Sequence, residues 1–134
     1  MTCLVRRTQV RVELAEPLEG HAPLRSDYAE EWWLPIVGPT AMWALRRLVS
    51  WAGVAGQPVT IPLDVLAGAV GVKASAGPNS PIVRTVHRII SFGLAAIDDD
   101  VVVVRDTVPA IPARLAGRID PEARATFGFG PGLG

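Results

Sequence analysis

The strongest constraint on this chain lies in residues 61–96, IPLDVLAGAVGVKASAGPNSPIVRTVHRIISFGLAA, where proline and glycine mark off two short helices. The spacing predicts a first helix over 62–70, stopped by Gly71, and a second over 81–92, stopped by Gly93. Proline suits a first helical position because its missing N–H has no partner there, and glycine just past the end accepts the left-handed closing conformation. Asn79 and Ser80, ahead of Pro81, supply the side-chain oxygen expected of an N-cap. Leu63, Leu66, Ala67 and Val70 form one face of the first helix, which Gly68 weakens by about 1 kcal/mol relative to Ala. Ile82, Val83, Val86, Ile89 and Ile90 form the inward face of the second. Pro81, Arg84, Thr85, Arg88 and Ser91 fall on its other side, with His87 at the edge. Asp98-Asp99-Asp100 and a run of four valines from Val101 then read as the turn and return strand of a hairpin.

Upstream, residues 8–14 alternate apolar and polar, the period of a strand, and are expected to form an N-terminal arm that pairs with another element. Residues 15–25 contain two prolines and a glycine and read as a linker. Ser26 and Asp27 are expected to cap a short helix through Trp33, ended by Leu34-Pro35. Its adjacent tryptophans, Trp32 and Trp33, are expected to point apart, one into the core and the other toward a loop or a second subunit. A longer helix is expected from about Pro39 to Ala52, stopped by Gly53, with Ala41, Ala44, Leu45, Leu48, Trp51 and Ala52 inward and Arg46 and Arg47 together outside. Val59-Thr60-Ile61 reads as a short strand that pairs with the hairpin. Helix, strand, helix, helix and hairpin, in that order, make a winged helix-turn-helix, an α+β and mainly helical fold with a three-helix core and a β-hairpin wing.

The loop over 72–79, which carries Lys73, is longer than the tight turn of that motif. After the hairpin, residues 108–112 form a stiff proline-rich connector, and 112–118 and 121–127 are short helical candidates, the second capped by Asp120. Their Arg114, Arg118 and Arg124 read as a solvated surface. The glycine-rich end, 128–134, is expected to hold no single shape. The expected organisation is thus an arm and linker over 1–25, the winged domain over 26–118, and a short helix with a tail over 119–134.

Charge is more informative by region than in total. Thirteen basic and thirteen acidic residues cancel, which argues mildly against a nucleic-acid partner. Residues 39–93, however, carry Arg46, Arg47, Lys73, Arg84 and Arg88 against Asp64 alone, a net of +4, while each flank carries −2. Positive charge therefore accompanies the helix pair, where a surface that meets phosphate would have it. Arg84, Thr85 and Arg88 suit a helix in the major groove, where arginine reaches guanine or phosphate and threonine meets phosphate or a thymine methyl. Ser80, Lys73, Arg46 and Arg47 are candidate phosphate contacts beside it. The three aspartates at the hairpin tip oppose this reading, because phosphate repels them.

Enzyme chemistry has no footing here. The sequence holds no phosphate loop, no nucleophile elbow and no metal-ligand spacing, and His21 and His87 lie far apart. Catalytic residues, cofactors and metals are therefore expected to be none. Cys3, alone, allows no internal disulfide and fits a reducing cytoplasm. No apolar run approaches the roughly 18 residues of a membrane span, and no apolar segment follows the early arginines as in a secretory signal. With 49% hydrophobic and 19% charged residues, the chain has enough apolar surface for one packed domain.

The pattern VGPTAMWALRRL, IPLDVLAGAVGV, PNSPIVRTVHRIISFGLAAI and VVVVRDTVPAIPARL resembles small winged helix-turn-helix proteins of actinobacteria and their phages, over roughly residues 37–115. The resemblance implies double-stranded DNA binding by a transcriptional regulator, with helix 81–92 as recognition helix and Arg84, Thr85 and Arg88 facing bases or phosphate. The acidic hairpin tip departs from that pattern, in which arginine is common along the wing. Such domains often bind paired half-sites as homodimers, and Trp32 or Trp33 is then a candidate contact. The alternative is a non-enzymatic protein-interaction module on the same scaffold, engaging a partner through the acidic hairpin or the tryptophans.

Overall fold

The computed structural model describes residues 8–75 and 80–119. The helix expected over 121–127, its Arg124 and the glycine-rich end lie outside the described residues, as does Asn79. Among the described residues the fold is α+β: five α-helices and a mixed four-stranded sheet, with a two-stranded ribbon besides.

The two punctuated helices form much as their sequence dictates. α3 spans Leu63–Val70 and α4 spans Pro81–Ser91. Pro62 stands just before α3 as its N-cap instead of inside it. Both helices close alike. Gly71 and Gly93 adopt φ of 78°, and the next residue reaches back five positions, Val72 N–H to Ala67 O and Leu94 N–H to Ile89 O. This closure supplies donors to carbonyls that the helix end leaves open. Ile82, Val83, Val86 and Ile89 are buried and Ile90 is half-buried, as the periodicity requires.

α2 runs Pro39–Ala55, beyond the expected stop at Gly53. Gly53 remains helical, and the left-handed closing residue is Gly56, with φ of 67°. Ahead of α2, Ser26 Oγ accepts from Ala29 N–H at 3.2 Å, which opens the preceding helix as expected. A wide π-turn over Ala29–Trp33 then leads directly into α1, Leu34–Val37. Pro35 lies in the first turn of α1, where it lacks no needed donor, so the chain stays helical until Gly38.

The sheet departs most from expectation. β1 (Gln9–Leu14) forms and pairs as expected, but as an inner strand in the order β3-β1-β5-β4. It pairs antiparallel with β3 (Val59–Pro62), Val10 opposite Ile61, and parallel with β5 (Val101–Val104), Val12 opposite Val102. β3 therefore bonds β1 and not the hairpin. Alternation places Val10 and Val12 in the core, with Ile61, Val102 and Val104 as neighbours, while Arg11 and Glu13 face out. The hairpin joins β4 (Ala95–Asp98) to β5 through Asp99 and Asp100 alone, both at positive φ (49° and 67°), the signature of a tight two-residue turn. The expected linker contains β2 (Ala22–Pro23), which pairs with β6 (Thr107–Val108), and the connector ends in α5 (Ala113–Ala116).

Candidate nucleic-acid interface

The outward side of α4 forms one wall of an open groove of about 480 Å³. Pro81, Arg84, Thr85, His87, Arg88 and Ser91 come from α4, Thr40 from the first turn of α2, and Val72 from the end of α3. Packing of α2 and α3 on the apolar face of α4 brings these three elements together. Among the described residues, no carboxylate lines the groove. Its side chains offer two guanidinium groups, an imidazole and three hydroxyls, a set that accepts an anion and repels none.

The members differ in how much of that chemistry is available. The Arg84 side chain is exposed and makes no hydrogen bond or ion pair among the described residues, while its backbone N–H donates to Ser80 O. Arg88 is at the surface too, but its guanidinium is engaged. Nε donates to Val37 O at 2.8 Å, an Nη donates to Ile36 O at 2.9 Å, and the planar group lies 5.0 Å from the Phe92 ring centroid. These bonds satisfy carbonyls at the end of α1, the role a cation takes at a helix C-terminus. Arg88 is thus a brace between α4 and α1. The Thr85 hydroxyl donates to Pro81 O at 2.8 Å and keeps only acceptor capacity, which suits a base amino group and not a phosphate.

No protein-family model, curated protein or solved structure matches this chain. Assignment of roles therefore rests on the geometry of its own residues.

That geometry corrects several expectations. Ser80 holds the N-cap position of α4, yet its side chain makes no capping bond, is 1% exposed and has an unpartnered Oγ, so it is sealed from any phosphate. Arg46 and Arg47 do not share one open face. Arg46 turns toward the π-turn, where it pairs with Glu30 at 3.3 Å, lies 5.4 Å from the Trp43 ring centroid, and keeps only 13% of its side-chain surface. Arg47 is exposed and, among the described residues, without an ion pair. Lys73 is exposed in the loop after α3.

Trp32 and Trp33 are each 1% exposed, and neither is available as a surface contact. Their element is covered on both sides, by the core and by the connector, and Trp33 Nε1–H donates to Pro109 O at 2.8 Å. Tyr28, one turn earlier, accepts from Ile111 N–H at 2.7 Å, so the same element fixes the connector twice. The exposed tryptophan is Trp43, on α2, at 53%. Sequence periodicity places it off the apolar face, but only the packing reveals that about half of it stays open, with Arg46 over its ring. Thr40 was equally hidden as a candidate, since its place beside α4 arises from the contact between the two helices.

Asp98, Asp99 and Asp100 are all exposed at the hairpin tip. Among the described residues, no group of three or more His, Cys, Asp or Glu side chains is placed to hold a metal ion, and no helix is long and apolar enough to cross a membrane.

Proposed function

We propose that this chain binds double-stranded DNA as a small regulator on a winged helix-turn-helix scaffold, with α4 in the major groove. The observation that carries the reading is the carboxylate-free groove along α4, in which Arg84 projects unpaired and a second helix contributes Thr40. The order helix α2, strand β3, helices α3 and α4, and hairpin β4–β5 supports it, as does the +4 charge of residues 39–93. On this reading Arg84 meets a guanine edge or a phosphate, Thr85 accepts from a base, Lys73 and Arg47 meet phosphates, and Arg88 holds α4 at its angle. A homodimer on paired half-sites would need a contact other than the buried Trp32 and Trp33.

Fluorescence anisotropy with a random-sequence duplex, from low to physiological salt, tests the proposal. Affinity should fall steeply with salt, and Arg84→Ala should lower the logarithmic slope by about 0.9, the contribution of one phosphate contact. No binding even at low salt overturns it.

A second reading, a protein-interaction module, draws support from the three exposed aspartates at the tip. Replacing Asp98, Asp99 and Asp100 by Asn separates the two. The exchange strengthens DNA binding where the tip lies near phosphate, and weakens a complex with a basic protein partner.

A further inference from the structure

We infer that the exposed ridge of α2 formed by Trp43 and Arg47 is a second nucleic-acid contact, which takes the sugar-phosphate backbone flanking the bases that α4 reads. The inference rests on the DNA reading above and deepens it, joining Arg47, there a single phosphate contact, to the exposed Trp43 in one surface. Thr40, Trp43 and Arg47 stand at i, i+3 and i+7, the spacing of one helix face. Thr40 already belongs to the groove along α4, so the helix face that carries Trp43 and Arg47 starts at that groove. From Thr40 to Arg47 the helix rises about 10.5 Å, the axial length of about three nucleotides of one strand.

The chemistry of the ridge selects this occupant. Trp43 is 53% exposed, although an indole of its size is ordinarily placed where it is covered. Arg47 carries its charge into solvent with no ion pair among the described residues. Glu30 is paired with Arg46, and Arg46 in turn flanks the Trp43 ring. Arg47, one turn on from Trp43, adds an unpaired positive charge beside that aromatic plate. Deoxyribose and phosphate fit such a surface, the sugar against the ring and the phosphate on the guanidinium.

Acrylamide quenching and salt titration test this with the full chain. Trp32 and Trp33 are sealed and Trp51 is half-buried, so the accessible part of the emission belongs mainly to Trp43 and should vanish in Trp43→Phe. Addition of a random-sequence duplex that extends beyond α4 on both sides should protect this component from acrylamide. Arg47→Gln should lower the slope of log affinity against log salt by about 0.9 and leave thermal stability unchanged. Duplex binding seen by anisotropy, with Trp43 still quenched and the Arg47→Gln slope unaltered, overturns the ridge while leaving the α4 reading intact. Failure of the wild-type chain to bind duplex at all overturns both. Self-association that Trp43→Ala abolishes, with an unaltered DNA slope in Arg47→Gln, overturns it in favour of a second copy on the ridge.

Discussion

Arg88 offers the sharpest test of how α4 is held. Its guanidinium makes two charge-assisted bonds, to Val37 O and Ile36 O, and stacks on Phe92. A hydrogen bond to a charged group contributes about 1.5–3 kcal/mol when desolvated. Arg88 is exposed as a residue, so solvent screening brings each bond here to about 1 kcal/mol, and the ring contact adds about 0.5–1 kcal/mol. Arg88→Ala should therefore cost about 2.5 kcal/mol, or about 8–12 °C in Tm for a chain of this size. Arg88→Lys keeps a single ammonium donor and loses the planar stack, so about half of that loss is expected. Arg84→Ala, one turn earlier on the same face, should stay within about 0.5 kcal/mol because its side chain is exposed and unpaired. Urea unfolding of the three variants checks this, with unchanged m-values showing that only stability has moved. DNA titrations well below Tm should show the converse, with the salt slope reduced in Arg84→Ala and kept in Arg88→Ala. A loss below about 0.5 kcal/mol in Arg88→Ala, or an equal loss in Arg84→Ala, refutes the division into brace and contact.

Three further substitutions probe the scaffold. Trp33→Phe removes the donor to Pro109 O and part of a fully buried ring, and should cost about 2 kcal/mol, with faster amide exchange at Val108 and Ile111 as the local reading. Ser80→Ala should be neutral or stabilising by up to about 1 kcal/mol in thermal denaturation, against the loss of about 1 kcal/mol usual at an N-cap, because Oγ is buried and bonds nothing. Gly93→Ala should cost about 1–2 kcal/mol by the same assay. A Cβ there meets nothing within 4 Å, so the whole penalty is the left-handed backbone at φ of 78°.

Where local chemistry decides, the sequence was readable. Gly71 and Gly93 end α3 and α4 because the backbone there must turn left-handed, and the apolar period of α4 names its buried residues almost completely. Where a choice depended on distant partners, it was not. Gly53 and Gly56 are equivalent as stop signals until packing carries α2 past the first. Six alternating residues identify β1 as a strand but say nothing of its neighbours, one about 50 and the other about 90 residues away along the chain. Arg88 was placed correctly on the outer face, yet its long side chain curls back to carbonyls more than 50 residues earlier, a destination no periodicity encodes. The tryptophan pair misled for a similar reason, since a helix covered on two sides can bury neighbours that point apart.

Insertion of β1 also bears on how a neutral chain would meet a polyanion. The hairpin is held from both strands: Phe92, Gly93 and Leu94 alone separate β4 from α4, and β5 lies in parallel register on β1. Its tip has just two turn residues, so the backbone that carries Asp98, Asp99 and Asp100 is closely held. Arg84 on α4 and Arg47 on α2 are exposed cations without an ion pair among the described residues. Charges beyond about 8–10 Å are largely screened at ordinary salt, so an approaching duplex responds to the local surface and not to the total. A net charge of zero on such a framework describes a polarised molecule: attraction along the α4 groove and the α2 ridge, repulsion at a fixed acidic tip. On the DNA reading of α4, the tip disfavours any pose that brings phosphate within about 8–10 Å of its three aspartates.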